Sequence, residues 1–366
     1  MKKIRVLVVD DSGVMRKILS DIIQQDEELE VIETAANGIE AIEKVASFRP
    51  HVITMDVNMP KMNGILAVEH IMKSYPTPIV MISSVTQYGA EVTLKALELG
   101  AVDFIAKPSG DISLDIESLR EEIIAKVKTA SKIKVVRTVS KSVRSPKGST
   151  RALQLNPMYI SKLFTTSPTE GVSVVAIGSS TGGPQALNVI LSELPIYFPC
   201  PILIVQHMPE KFTKELAKQL DQRTALKVVE AQDGDKIKTG MVYIAPGSHH
   251  MKVTSTGIIR LSRGEKVNGY RPSVDVLMSS VSEVYGKKAV AVLLTGMGSD
   301  GAQGLYKVKQ AQGKTLVQDE QTCTVFGMPK AAIELGGVDY IVPLPLIARR
   351  LMDLVRHGNF SESSVF

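Results

Sequence analysis

Two long stretches of the chain alternate short apolar runs with segments of helical spacing, and a polar stretch divides them. IRVLVVDD (residues 4–11) is apolar at successive positions, which predicts a strand buried on both faces of a parallel sheet. Ser12 is placed to cap the helix that follows through VMRKILSDII. VIETAA, HVITMD (51–56), PIVMISS (78–84) and AVDFIAKP (101–108) read as four further strands. Helical spacing fills the gaps: GIEAIEKVASF, which Pro50 stops, then 64–73, 89–99 and 115–129. Such alternation predicts a doubly wound α/β domain with a parallel sheet, right-handed crossovers and helices on both faces.

The period is lost over residues 131–170, where SKIKVVRTVSKSVRSPKGSTR is basic and Ser-rich; a flexible linker is expected there. Alternation resumes at 171. Strands are predicted at VSVVAIG, PILIVQH, KVVEA, MVYIAPG, AVAVLLTG and KTLVQD, and helices at 184–193, 211–222, 273–285, 301–311 and 345–355. The stretch VYIAPGSHHMKVTSTGIIRLS adds a β-hairpin or arm. The predicted division is a first domain at 1–130, a linker at 131–170, a second doubly wound α/β domain at 171–357, and a disordered tail at 358–366.

Composition narrows the class. The 366 residues are 44% hydrophobic, and no run approaches the ~18 apolar residues of a membrane span. The N-terminal MKKIRVLVVDD has the lysines of a signal peptide, but its short β-branched run ends in Asp10 and Asp11, so it reads as a strand. Two cysteines, Cys200 and Cys323, form no disulfide or metal pattern, and a cytoplasmic protein is expected. The net charge of +5 is uneven: residues 1–130 carry 14 basic and 20 acidic residues, and 131–170 carry 8 and 1. The basic excess therefore lies in the linker rather than on a folded face, and nucleic-acid binding and membrane insertion are not expected.

In an open parallel sheet, ligands bind at the carboxyl ends of the strands. Asp10 and Asp11 end the first strand and Asp56 the third, and right-handed winding sets these strands side by side. Three converging carboxylates repel and call for a cation, and hard oxygen donors suit Mg²⁺. Lys107 and Ser83 end the fifth and fourth strands, where they could meet phosphoryl oxygens. Any one of these acids alone would be read as a helix cap or a surface group; together they suit attack of a carboxylate on phosphorus. VLVVDDS, MDVNMPKMNG and DFIAKP resemble the response-regulator receiver family over residues ~4–125. The resemblance implies a flavodoxin-like fold and phosphorylation of Asp56 by a histidine kinase. It also implies Mg²⁺ held by Asp11, Asp56 and the Asn58 carbonyl, with Asp10 near the metal through water, and Ser83 and Phe104 as the switch pair.

In the second half, AIGSSTGGPQAL reads strand, glycine-rich turn, helix, and Gly178–Gly182 fits G-x-S-x-G with Ser180 central. A tight turn without chemistry competes equally with a nucleophile for so short a pattern. Backbone N–H groups near Thr181 and Gly182 could stabilise an oxyanion. His207 follows a strand and so lies at the same sheet edge, a better base than His249, His250 or His357. Asp300 follows another strand, in GMGSDG (296–301). That stretch also matches G-x-G-x-x-G, with Asp319 and Glu320 about twenty residues on, the pattern of a dinucleotide site. A carboxylate in a pyrophosphate cradle argues against that reading, whereas it suits the orientation of His207.

AIGSSTGGP, VQHMP, IAPGSHHM, RPSVDVL, LLTGMGSDG and CTVFGMP, in this order, resemble the catalytic domain of the chemotaxis protein-glutamate methylesterases. The resemblance implies a Ser180–His207–Asp300 triad with Met297 beside it, and no cofactor for the esterase. The implied activity is hydrolysis of glutamate γ-methyl esters on chemoreceptors, with deamidation of certain receptor glutamines. The implied phosphodonor is a chemotaxis histidine kinase, with the receiver covering the esterase site until it is phosphorylated. Arg271 is a candidate for meeting an acidic substrate, or else a salt-bridge residue.

Overall fold

The computed structural model describes residues 3–107, 116–133, 135 and 172–357. The expected linker, from 136 on, and the expected tail at 358–366 lie outside the described residues. In the first half, strands β1 (Ile4–Val9), β2 (Leu29–Ala35), β3 (Val52–Asp56), β4 (Ile79–Ser84) and β5 (Asp103–Lys107) form one parallel sheet, order β2-β1-β3-β4-β5. Helices α1 (Gly13–Gln24), α2 (Gly38–Phe48), α3 (Gly64–Ser74), α4 (Gln87–Glu98) and α5 (Ile116–Ser131) cover it. Helix starts are set by side chains: the oxygens of Ser12, Asn37, Asn63 and Thr86 each accept backbone N–H groups of the first turn. Each such cap is worth ~1 kcal/mol. Alternate residues of β1 point into opposite layers, Val6 and Val8 toward Leu19, Ile23 and Val127, Leu7 and Val9 toward Val68 and Ile71.

The second half is built around a seven-stranded parallel sheet of order β14-β13-β12-β6-β7-β9-β8. Its strands are β6 (Val174–Ser179), β7 (Ile202–Gln206), β8 (Lys227–Glu230), β9 (Met241–Ile244), β12 (Ala289–Leu293), β13 (Lys314–Gln318) and β14 (Tyr340–Val342). The helices are α6 (Gly183–Glu193), α7 (Phe212–Arg223), α8 (Val274–Tyr285), α9 (Ala302–Gln310), α10 (Met328–Glu334) and α11 (Leu344–His357). The expected hairpin is β10 (His250–Val253) paired antiparallel with β11 (Ile259–Ser262), apart from the main sheet. α10 and β14 are absent from the sequence reading. Seven residues are too few to display a helical period, and the apolar run of β14, Tyr340–Val342, is only three residues long before Pro343, too short to mark a strand.

Strand order reverses between β1 and β3 in the first sheet and between β6 and β12 in the second. Both halves thus have a crevice at the carboxyl ends of adjacent strands. A continuous cluster of buried apolar residues joins the halves, passing from Leu94, Leu97 and Phe104 to Phe212, Leu216 and Leu220. No helix among the described residues is long and apolar enough to cross a membrane.

Candidate active site and phosphoacceptor pocket

At the first crevice, carboxylate oxygens of Asp10, Asp11 and Asp56 lie within 4.8 Å of one another. Asp10 is fully buried and Asp56 is 5% exposed. Lys107 Nζ spans them, 2.8 Å from Asp10 Oδ2 and 2.9 Å from Asp56 Oδ1. Burial and the neighbouring Asp10 charge push the Asp56 carboxyl above its usual range, although Lys107 pulls it down. Burial disfavours the charge on Lys107, yet the two carboxylates hold its pKa above the ordinary lysine value. Three hard oxygen donors this close suit a small divalent cation, and with Asp11 exposed there is room for water in its shell. Asn58 is exposed beside Asp56. Ser83 and Phe104 turn elsewhere: the Ser83 hydroxyl donates to Gly89 O at 3.2 Å, and the Phe104 ring stacks on Phe212 at 4.5 Å and 9°.

The second crevice brings the ends of β6, β7 and the loop after β12 together. Two serines follow the apolar run of β6, and the fold separates them. Ser179 is fully buried, its hydroxyl donating to Gln206 Oε1 at 2.7 Å, whereas Ser180 lines an open cleft of about 660 Å³. The turn after Ser180 requires glycine. Gly182 has φ 78°, and a Cβ there would lie 2.3 Å from Thr324 Oγ1. A Cβ on Gly183 would lie 1.9 Å from Gln206 Oε1. The amide of Gln206 also donates to the carbonyls of Ser180 (2.9 Å) and His207 (3.2 Å), so one buried side chain ties the serine turn to the histidine.

His207 Nε2 is 2.8 Å from Asp300 Oδ2, and its Nδ1 is buried without a partner among the described residues. No hydrogen bond joins Ser180 to His207 among the described residues; both line the cleft. Asp300 is fully buried and receives a set of donors: Ser273 Oγ at 2.8 Å, Val274 N at 2.7 Å and Asp275 N at 3.3 Å. Those groups belong to the first turn of α8, whose dipole favours an anion. Burial alone would raise the Asp300 carboxyl, but His207, Ser273 and the Val274 N–H hold it below its usual range. This donor set explains how a carboxylate resides inside a G-x-G-x-x-G turn. The other acid of the dinucleotide pattern, Asp319, is engaged by Thr322.

Of the remaining candidates, Met297 lines the cleft, with Thr129 Oγ1 3.3 Å from its Sδ. Arg271 also lines it, but its guanidinium donates to the carbonyls of Arg263 (3.1 Å) and Gly264 (2.7 Å). His250 and His249 are spent on Glu265 O and Arg263, respectively. Both cysteines are free thiols, pushed up to about 12 by burial, which leaves neither as a thiolate nucleophile.

The first half supplies a wall of this cleft through Val102, Asp103, Phe104, Glu121, Glu122 and Lys126. Thr181, next to Ser180, donates its hydroxyl to Asp103 Oδ2. Lys126 donates to Phe104 O and lies 3.5 Å from Asp103. Outside this cleft, Arg223 pairs with Glu98 at 2.6 Å and Gln185 donates to Leu97 O at 2.9 Å across the same contact between the halves. The sequence reading found none of these pairings, nor Gln206 or Tyr270. An Asn268–Gly269 pair is the one local signal available, since it marks a tight turn.

A family model described as CheB methylesterase matches residues 175–351, and one described as response regulator receiver domain matches 6–117. A protein-glutamate methylesterase/protein-glutamine glutaminase of Pyrococcus abyssi is 47% identical over 98% of this chain and 96% of its own length. One of Thermotoga maritima is 44% identical over 96% of this chain and 98% of its own. The crystal structure of the Thermotoga maritima CheB methylesterase catalytic domain is 47% identical, covers 50% of this chain and 99% of that chain, and superposes with a TM-score of 0.49. A receiver joined to a second α/β unit of this kind is a response regulator with a hydrolase as its output. The chain belongs to the CheB family, the protein-glutamate methylesterases/protein-glutamine glutaminases.

Proposed function

We propose that this chain removes γ-methyl esters from chemoreceptor glutamates, and deamidates receptor glutamines, by a Ser180–His207–Asp300 mechanism gated by phosphorylation of Asp56. The observation that carries the reading is the buried, donor-saturated Asp300 carboxylate on His207, at the same sheet edge as Ser180. Ser180 Oγ attacks the ester carbonyl while His207 takes its proton. Because Nε2 faces Asp300 and Nδ1 has no other partner, Nδ1 is the basic nitrogen. The imidazolium then protonates departing methoxide, or the departing amide nitrogen of a glutamine, so methanol or ammonia leaves and an acyl-serine remains. Water, deprotonated by His207, attacks that acyl group and releases glutamate and free Ser180. The N–H groups of Thr181 and Gly182, at the start of α6, are the oxyanion donors in this reading.

Asp56 receives the phosphoryl group from a chemotaxis histidine kinase. Mg²⁺, held by Asp10, Asp11, Asp56 and the Asn58 carbonyl, would offset charge on the transferring group. Lys107 turns from the carboxylates to a phosphoryl oxygen, and Ser83 meets another. The receiver inhibits by standing in the cleft mouth, where Asp103 occupies Thr181 and α5 covers Met297. Phosphorylation shifts the population to an open form.

The test is methanol release from methylated receptor membranes by the wild type and Ser180→Ala. A loss on the order of 10³-fold is expected; equal release by both proteins would sink the assignment.

A further inference from the structure

Asn268, Gly269 and Tyr270 lie in the cleft wall, and the mechanism above gives them no part. Val267 and Tyr270 exchange both backbone hydrogen bonds, at 3.1 and 2.9 Å. Between them Asn268 has φ 53° and Gly269 φ 84°. Positive φ at both central residues is the tight turn that an Asn-Gly pair favours. Asn268 then fastens this turn to the triad's own support: its Nδ2 is 2.8 Å from Asp275 Oδ2 and 3.3 Å from Asp300 Oδ1.

The turn delivers one group to the chemistry. The Tyr270 ring lies flat on the His207 imidazole, with centroids 3.9 Å apart and planes within 5°. Gly298, at φ 85°, lies against it; a Cβ there would sit in van der Waals contact with the tyrosine hydroxyl, at 3.4 Å. The imidazole needs such a contact. Among the described residues its one hydrogen bond is to Asp300, and a ring held at a single atom still tilts and swings about that bond.

We propose that Tyr270 is a positioning residue for His207, holding the imidazole plane so that Nδ1 points at Ser180 while Nε2 stays on Asp300. This rests on the triad reading. The face of the ring does the work, so the hydroxyl is dispensable. Asn268 acts one step further back, by registering the turn against Asp300.

The experiment uses the full chain activated with Mg²⁺ and acetyl phosphate, assayed for methanol release from methylated receptor membranes across pH. Tyr270→Phe is expected to stay within about twofold of wild type. Tyr270→Leu should lower kcat about tenfold or more, with KM nearly unchanged, because a misplaced base costs the chemical step. Asn268→Ala should fall between the two. A tyrosine that merely stabilised the domain would reduce the active fraction and leave kcat per folded active site unchanged; that result would overturn the proposal. So would a Phe variant as impaired as the Leu variant. His207→Gln serves as the reference. If it is inactive while Tyr270→Leu behaves as wild type, the positioning role alone fails; if it is active, the triad reading fails first.

Discussion

The two crevices solve the same electrostatic problem in opposite ways. Each puts carboxylate at the carboxyl edge of a parallel sheet, beside the point where strand order reverses. In the receiver, Asp10, Asp11 and Asp56 crowd together, and the compensation comes from one mobile cation, Lys107. In the hydrolase, the buried Asp300, with the Asp275 carboxylate beside it, is met by fixed donors: the first N–H groups of α8, a serine hydroxyl, the Asn268 amide and an imidazole. The opposite pKa displacements follow, with Asp56 raised and Asp300 lowered. A pocket with movable compensation is suited to accept and lose charge. One with fixed compensation is suited to keep its charge through a catalytic cycle.

Removing the fixed side should cost most. His207→Gln or Asp300→Ala should each lower methanol release by about 10³-fold or more, while phosphorylation of Asp56 by a small phosphodonor continues. A variant retaining activity within tenfold would mean that Asp300 is structural.

The movable side should affect regulation and leave basal turnover alone. Asp56→Asn should take up no label from a radioactive phosphodonor and show no phosphodonor-dependent rise in esterase rate. Labelling that persisted would place the acceptor elsewhere.

The contact between the two pockets comes next. Asp103→Ala removes one hydrogen bond of the closed form, a net ~0.5–1.5 kcal/mol, so basal activity should rise about two- to tenfold. The fully phosphorylated rate should not change. Equal basal rates would show that this bond does not hold the cleft shut.

The smallest effects concern pH, and they have opposite signs. A raised Asp56 pKa means that the folded state takes up its proton above the usual carboxylate range. Mg²⁺ affinity and phosphorylation should therefore decline on acidification before an ordinary aspartate would titrate. The lowered Asp300 pKa contributes stability that is present above the usual carboxylate value and lost as pH falls through the lower, folded one. Thermal melts of Asp300→Asn should consequently depend less steeply on pH in that acidic window than those of wild type, and parallel curves would count against the pairing.

Much of this architecture was legible because parallel strands buried on both faces read as unbroken apolar runs. Val6–Val9, Val174–Ile177 and Ala289–Leu293 announce themselves, and Asp10, Ser180 and Asp300, in the turns that follow these runs, are delivered to the functional edge. What the sequence concealed is pairing across distance. Nothing local to Gln206 says that its amide will bind the carbonyls of Ser180 and His207. Nothing near Asp103 points to Thr181, because that contact depends on how two separately wound sheets meet. The stack of Phe104 on Phe212 is hidden for the same reason, as each ring alone reads as core.

The contact between the halves has a consequence for the receiver taken alone. Receiver and hydrolase are parts of one polypeptide, so their docking is intramolecular, with an effective concentration on the order of mM. The face combines the buried apolar cluster running from Leu94, Leu97 and Phe104 to Phe212, Leu216 and Leu220 with an aromatic stack, an ion pair and a few hydrogen bonds, and at such an effective concentration it needs less surface to stay docked than two free proteins would. Under the gating proposed above, a separately expressed receiver fragment should therefore inhibit the hydrolase less well in trans than the covalently joined receiver does.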